Sequence, residues 1–384
     1  MTSGYVPFNK PYMTGRELWL ISQAHANGHL SGDGAFTKRC HRHIEALTGC
    51  SKALLTHSCT AALEMAALLL DLRPGDEVIL PSFTFVSTAN AVVLRGAVPV
   101  FVDIRRDTLN LDEALVEAAI TERTRAIFVV HYAGVACEMD AILEIARRRG
   151  IAVVEDAAQG LYATYRGRAL GSIGALGALS FHETKNIISG EGGALLVNDP
   201  ALVERAEIIR EKGTNRSKFY RGQVDKYTWV DVGSSYLPGE IIAAFLAAQL
   251  EQGEEITRER MRLWEAYHAW AAEFEEAGLV RRPVVPAHCV HNAHMYYLLL
   301  PDLQRKMAFI DALKQRGVGA VFHYIPLHSS PAGQRYGRAS GALAVTDETS
   351  DRLVRLPLWN GLAEHLPRVL DAAREALHET RAVR

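Results

Sequence analysis

The chain has no stretch of 18 uninterrupted apolar residues, so no segment reads as a transmembrane helix and no membrane partner is expected. Its opening run, MTSGYVPFNKPYMTG, lacks the basic-then-apolar order of a secretory leader, and the expected location is the cytoplasm. Cysteine is sparse: Cys40, Cys50, Cys59, Cys137 and Cys289 are an odd, scattered set without a Cys-x-x-Cys spacing, which argues against a disulfide framework. The runs Cys40-His41-Arg42-His43 and His291-Asn292-Ala293-His294 lack the second ligand pair of a structural zinc site, so no metal is expected. An excess of one charge is also missing. With 42 Lys+Arg against 44 Asp+Glu, the formal net charge of −2 offers no field for nucleic acid. Repeats, low-complexity tracts and charged tails are absent as well.

What is present is an ordinary soluble mixture, 48% hydrophobic and 22% charged. At 384 residues the chain exceeds what one core supports, so two domains are expected, 1–250 and 251–384. Short apolar runs at 53–56, 77–80, 98–102, 126–131, 151–155, 178–181 and 194–197 alternate with helical stretches at 60–72, 111–120 and 139–149. Continuous apolar strands separated by helices predict an α/β fold with a mainly parallel sheet covered on both faces. Residues 241–277 read as helix interrupted at Gly253, followed by strand-like runs at 294–300 and 318–324 in a smaller α/β unit. Ligands of such sheets sit beyond the carboxyl ends of the strands, where chemistry is sought first.

At the end of the run 151–154 stand Glu155 and Asp156. A buried acid is costly unless partnered. Taken alone, Asp156 reads first as the cap of a helix starting at Ala157. Further on, Ser180, Lys185 and Glu191-Gly192-Gly193 lie between two apolar runs, placing Lys185 in a Gly- and Ser-rich loop. A surface lysine is the commoner outcome. Together, a strand-end acid and a loop lysine form the pattern that pyridoxal phosphate requires: an amine to form an imine, an acid for the pyridine nitrogen, and donors for the phosphate. The turn Ser58-Cys59-Thr60 before a helix offers such donors, although plain Ser/Thr capping explains Ser58 equally well. Phe85, after the run 77–80, reads as a ring to stack on the cofactor or as core.

The runs NGHLSGDG, PSFTFVSTANA, FVDI, HYAG, VVEDAAQ, SFHETKN, GEGGAL, REKGTNR and HYIPLH resemble the DegT/DnrJ/EryC1/StrS sugar aminotransferase family, built on the fold-type-I scaffold of pyridoxal-phosphate enzymes. The resemblance spans nearly the whole chain. It implies pyridoxal 5'-phosphate as cofactor, with pyridoxamine 5'-phosphate as its second form. Lys185 becomes the lysine joined to the cofactor and the proton carrier, Asp156 the pyridinium partner, and Gln159 the contact to the phenolic oxygen. Ser180 and the Cys59 and Thr60 amides hold the phosphate, Phe85 covers the ring, and His323, Tyr324 and His328 approach a nucleotide-sugar substrate. A homodimer with a shared site is implied too. Two departures stand out: Cys59-Thr60 where the family often has Gly-Thr, and Ser235-Tyr236-Leu237 where it often has Asn-Tyr-Arg, whose Asn reaches the partner's phosphate.

Further likeness in YVPFNKPYMTG, NGHLSGDGAFTKRC, EKGTNRSKFYRGQVDKYTWVDVGSSYLP and HYIPLHSSPAG implies TDP-4-keto-6-deoxyglucose as amino acceptor and L-glutamate as donor, leaving 2-oxoglutarate. Two alternatives share the resemblance. A sugar dehydratase of the family carries His at the lysine position, against Lys185 here. A non-catalytic cofactor-binding regulator would need an added DNA-binding segment, for which the chain has no spare basic helix.

Overall fold

The protein is described from a computed structural model covering residues 4–381. Five strands lead: Lys52–Thr56 (β1), Glu77–Pro81 (β2), Val98–Val102 (β3), Thr124–Val130 (β4) and Ala152–Asp156 (β5). They are followed by Thr164–Tyr165 (β6), Arg168–Ala169 (β7), Leu176–Ser180 (β8) and Gly193–Val197 (β9). The second half adds Cys289–Val290 (β10), Tyr296–Leu299 (β11), Val321–Phe322 (β12), Arg338–Ala339 (β13) and Leu353–Leu356 (β14). One sheet runs β1-β9-β8-β5-β4-β2-β3-β13. Its β8–β5–β4–β2–β3–β13 stretch is parallel, while β9 pairs antiparallel with β8 and β1.

Both faces of this sheet are covered, which is why its strands read as unbroken apolar runs. On one face Ala53, Leu55, Ile79, Val129 and Leu196 pack against the helices Glu17–Ala26 (α1) and Ala35–Thr48 (α2) and against Glu240–Glu251. The alternate residues Leu54, Val78, Leu80, Phe128 and Leu195 pack on the other face against Cys59–Leu69 (α3) and Val86–Val93 (α4). The period of two along each strand thus feeds two separate cores. A third core lies around the antiparallel sheet β11-β14-β12, which is covered by the helices Leu303–Gln315 and Leu366–Arg381.

All seven apolar runs are strands, with ends shifted by a few residues. The expected interruption at Gly253 is a junction between the helices Glu240–Glu251 and Gly253–Trp270. A Cβ at Gly253 would lie 2.0 Å from the Tyr162 hydroxyl, which donates to the Leu250 carbonyl, so glycine leaves room for that ring. Two expectations are corrected. No helix starts at Ala157, where the chain makes consecutive turns instead. The strand expected over 318–324 shrinks to Val321–Phe322, because the chain then leaves the sheet to enter the cavity described below.

The halves of the chain interlock. Val6 packs in the third core and bridges to Val318, while β13 forms the outer edge of the large sheet. Arg338 of β13 reaches the buried Glu77 carboxylate through bonds of 2.9 and 2.7 Å. Among the described residues no helix is long and apolar enough to cross a membrane.

Candidate functional site

Parallel strands deliver their carboxyl ends to one side, and there the chain surrounds a cavity of about 470 Å³. Asp156, the last residue of β5, lines it. Its Oδ2 accepts from the Thr88 hydroxyl at 2.6 Å, and its Oδ1 accepts the Ala158 N–H at 3.1 Å. Burial raises its pKa, and these two bonds and the nearby Lys185 oppose the rise. The capping role weighed for Asp156 thus survives as a turn bond by one oxygen. Neighbouring Glu155 has the opposite orientation demanded by the strand, bonding His131 Nε2 at 2.8 Å and the N–H groups of Gly171, Ile173 and Gly174. It fixes the loop that leads into β8.

Lys185 sits in the turn between β8 and β9, its N–H bonded to the His182 carbonyl and its side chain in the cavity. Its ammonium donates to no group among the described residues. Burial lowers its pKa, and Asp156 opposes that shift. An amine and an acid buried at one cavity are therefore each pushed toward neutrality.

The start of α3 forms another wall. Ser58 is the N-cap, its Oγ accepting the Ala61 N–H at 3.0 Å, and the Cys59 and Thr60 N–H groups have no acceptor within the helix. Thr60 Oγ1 bonds Ser87 Oγ at 2.7 Å. A Cβ on Gly193 would lie 2.4 Å from the Ser58 carbonyl carbon and 2.5 Å from the Cys59 nitrogen, so only glycine lets β9 run against this helix start. Burial holds the Cys59 thiol well above its ordinary range. Ser180 ends β8 on the same side, and Phe85, the N-cap residue of α4, stands at the mouth with 58% of its surface exposed.

Gln159 bridges two walls: its Oε1 accepts the Ala133 N–H at 2.6 Å and its Nε2 donates to the Tyr324 hydroxyl at 3.1 Å. His323 stacks on Tyr324 with ring centres 3.9 Å apart. The cavity therefore unites Cys59, Thr60, Phe85, Asp156, Gln159, Ser180, Lys185, His323 and Tyr324. His328 does not line it. That ring bonds Ser82 Oγ at 2.8 Å and pins its loop to the end of β2. Ser235 lies exposed, bridged to Glu211 and away from this cavity. Arg355 of β14, absent from the sequence reading, does line the cavity. Its only sequence signal is a single charged residue within the apolar run LVRLPL.

The two histidine runs weighed for metal have other uses. Cys40 donates to the Ala243 carbonyl, His41 accepts the Leu55 N–H, His291 accepts the Ala293 N–H and His294 bonds Asn186. Among the described residues no cluster of His, Cys, Asp and Glu is arranged to hold a metal ion.

The donor set fits a phosphate-bearing pyridine aldehyde. Free N–H groups at a helix start suit the phosphate, a buried carboxylate suits a protonated ring nitrogen, and an unpartnered amine suits the aldehyde. When bound, pyridoxal phosphate supplies an electron sink for negative charge on the carbon bearing the amine.

Comparison with known proteins agrees with this chemistry. The model of the DegT/DnrJ/EryC1/StrS aminotransferase family matches residues 11–374. The spore coat polysaccharide biosynthesis protein SpsC of Bacillus subtilis is 32% identical over 383 residues, 97% of each chain. The aminotransferase TlmJ from Streptoalloteichus hindustanus superposes with a TM-score of 0.89 at 30% identity, over 98% of this chain and 100% of that one. The PMP form of Spr1654 from Streptococcus pneumoniae gives 0.90 at 25% identity, with the same coverage.

Proposed function

The chain belongs to the DegT/DnrJ/EryC1/StrS aminotransferase family and takes pyridoxal phosphate as cofactor; from that premise we propose that it transfers the amino group of L-glutamate to C4 of TDP-4-keto-6-deoxyglucose. The products are 2-oxoglutarate and TDP-4-amino-4,6-dideoxygalactose, an amino sugar of enterobacterial common antigen. One observation supports the reaction type above others: Lys185, Asp156 and the free N–H groups of α3 share one cavity with His323 and Tyr324.

In this reading the Cys59 and Thr60 amides and Ser180 hold the cofactor phosphate, Asp156 keeps the ring nitrogen protonated, Gln159 faces the phenolic oxygen and Phe85 covers the ring. Lys185 Nζ removes the proton from the α-carbon of glutamate and delivers a proton to C4 of the sugar in the return half. Its lowered pKa leaves more of the amine free to accept that proton. His323 and Tyr324 approach the sugar, and a division of labour follows: residues 1–250 hold the cofactor, while 251–384 supply the facing wall. His328 acts indirectly, by anchoring the loop that carries them.

The reading includes a homodimer. The strap between the helices Val203–Arg210 and Glu240–Glu251 leaves Tyr220, Tyr227, Trp229, Val230 and Val232 exposed, an apolar surface suited to a second copy. The test is direct. Glutamate should convert the cofactor to its pyridoxamine form, and a panel of nucleotide keto-sugars should then show amination at C4 of the TDP substrate. NMR coupling at C4 distinguishes an axial galacto amine from an equatorial one; an equatorial amine or amination at C3 refutes the substrate and product assigned here.

A further inference from the structure

The turn 291–294, which leads into β11, brings a histidine to the cavity that the reading above leaves without a task. Arg260 donates to the carbonyls of Ala293 and His294 at 3.1 and 2.7 Å, where Ala293 sits in the left-handed region at φ 50°. Asn292 donates to the Gln159 and Leu161 carbonyls at 2.8 and 2.7 Å and accepts the His294 N–H at 3.1 Å. The backbone under His294 is therefore fixed from both halves of the chain.

Its tautomer is fixed as well. Asn186 commits its Nδ2 to the Asn292 carbonyl at 2.8 Å, which leaves its Oδ1 facing His294 Nδ1 at 3.0 Å. An amide oxygen only accepts, so Nδ1 carries the ring proton and Nε2 presents a bare lone pair. Burial first, then the charge of Lys185, holds the ring far below its ordinary pKa, and it stays neutral. Nε2 has no partner among the described residues, and the ring, only 6% exposed, lines the cavity together with Lys185. An acceptor this buried is costly without a donor.

The missing donor is close by. Lys185 adjoins Asn186 in the chain, and its own ammonium donates to no group among the described residues. Between proton transfers Lys185 is a primary amine on a flexible four-carbon stem. A lone pair that must meet one carbon gains from having an N–H of the same nitrogen held elsewhere. We propose that His294 is a positioning residue: its Nε2 accepts an N–H of Lys185 whenever that lysine is free of the cofactor, and so aims the amine at the reacting carbon. This rests on the aminotransferase reading and adds the group that steadies its proton carrier.

Two substitutions separate the acceptor from the clamp on Asn186. In His294→Asn the side-chain amide takes the place of Nδ1, keeping a donor for Asn186 and removing the acceptor from the cavity. In His294→Gln the amide reaches the place of Nε2, restoring an acceptor there and dropping the bond to Asn186. The glutamate half-reaction is followed first, by cofactor absorbance. His294→Asn should slow its limiting rate about tenfold while leaving half-saturation by glutamate within about twofold, and His294→Gln should recover most of the rate. A second readout needs no turnover: cyanate, which carbamoylates only the unprotonated amine, is applied to the full chain freed of cofactor, and peptide mass spectrometry follows Lys185 across pH. Asp156, Cys59, His323 and Arg355 face Lys185 alike in every variant. An accepted N–H favours the ammonium, so its loss should lower the Lys185 pKa by about half a unit in His294→Asn and leave it near wild type in His294→Gln. A His294→Asn enzyme with the wild-type rate or cyanate profile, or a His294→Gln enzyme as slow as His294→Asn, overturns the proposal and leaves the aminotransferase reading intact. A wild-type chain inert toward glutamate overturns that reading instead, and the cyanate profiles then decide the contact between His294 and Lys185 on their own.

Discussion

The hydroxyl of Thr88 donates a 2.6 Å hydrogen bond to Asp156 Oδ2 and accepts one from Thr84 Oγ1 at 3.0 Å, so α4 and the residue before its N-cap feed a two-hydroxyl chain into a carboxylate on β5. This bond favours the ionised acid, against the rise caused by burial. Thr88→Val should therefore raise the Asp156 pKa further. The ionised form is the useful one, so activity is lost as pH falls through that value, and the acid limb of kcat/KM should move upward by about one pH unit. Superimposable acid limbs for variant and wild type would discard the role given to Asp156.

Asp156→Asn tests the same carboxylate more severely. A neutral amide keeps the turn bond to Ala158 and cannot hold a proton on the ring nitrogen, so cofactor should still bind while turnover drops at least a hundredfold. A near-normal rate would reduce Asp156 to its turn bond alone.

Lys185→Ala should remove the visible absorbance of lysine-linked cofactor and lower turnover by roughly a thousandfold or more, because no second lysine lines the cavity. Retained turnover would sink the assignment of Lys185.

Glu77 offers a prediction about stability. Its carboxylate is fully buried and bonded to Arg338, Thr121 and Arg123, and these bonds, Arg338 first, lower its pKa from 4.5 to about 2. A lowered folded pKa means stability that is fully present above pH 4.5 and lost as pH falls toward 2. Glu77→Gln should cost about 2 kcal/mol at neutral pH, discounted for the exposed arginine partners. Denaturant midpoints should show the gap between variant and wild type closing across that acid window; a gap independent of pH would exclude the charge as its source.

A dimer at working concentration should be visible by light scattering. Trp229 is 79% exposed at the tip of the apolar strap, so Trp229→Glu should shift the population toward monomer. An active wild-type monomer would contradict the shared-site reading.

Much of the large sheet was legible because burial on both faces makes each strand an unbroken apolar run, and the cavity's Asp156 and Lys185 stood out as charges at the ends of such runs. Arg355 was not legible. A single arginine in LVRLPL looks like an outward-facing residue of a strand, and only the packing of β14 between β11 and β12 turns it inward. The placement of His328 was not legible either. That residue neighbours Tyr324 in sequence, but the loop bends between them and sends its ring to Ser82, an orientation no local pattern encodes. The two-residue β13 has too few side chains to carry any periodicity.

That short strand also dictates the order in which the molecule can be finished. Arg338 joins Glu77 across 261 positions, so during synthesis β3 waits with its outer edge open until the chain is nearly complete. Such long-range closure is slow, and an unpaired edge is a template for pairing with other chains. The nascent protein is thus most vulnerable to aggregation late on the ribosome, and any chain ending before Arg338 keeps that vulnerability permanently.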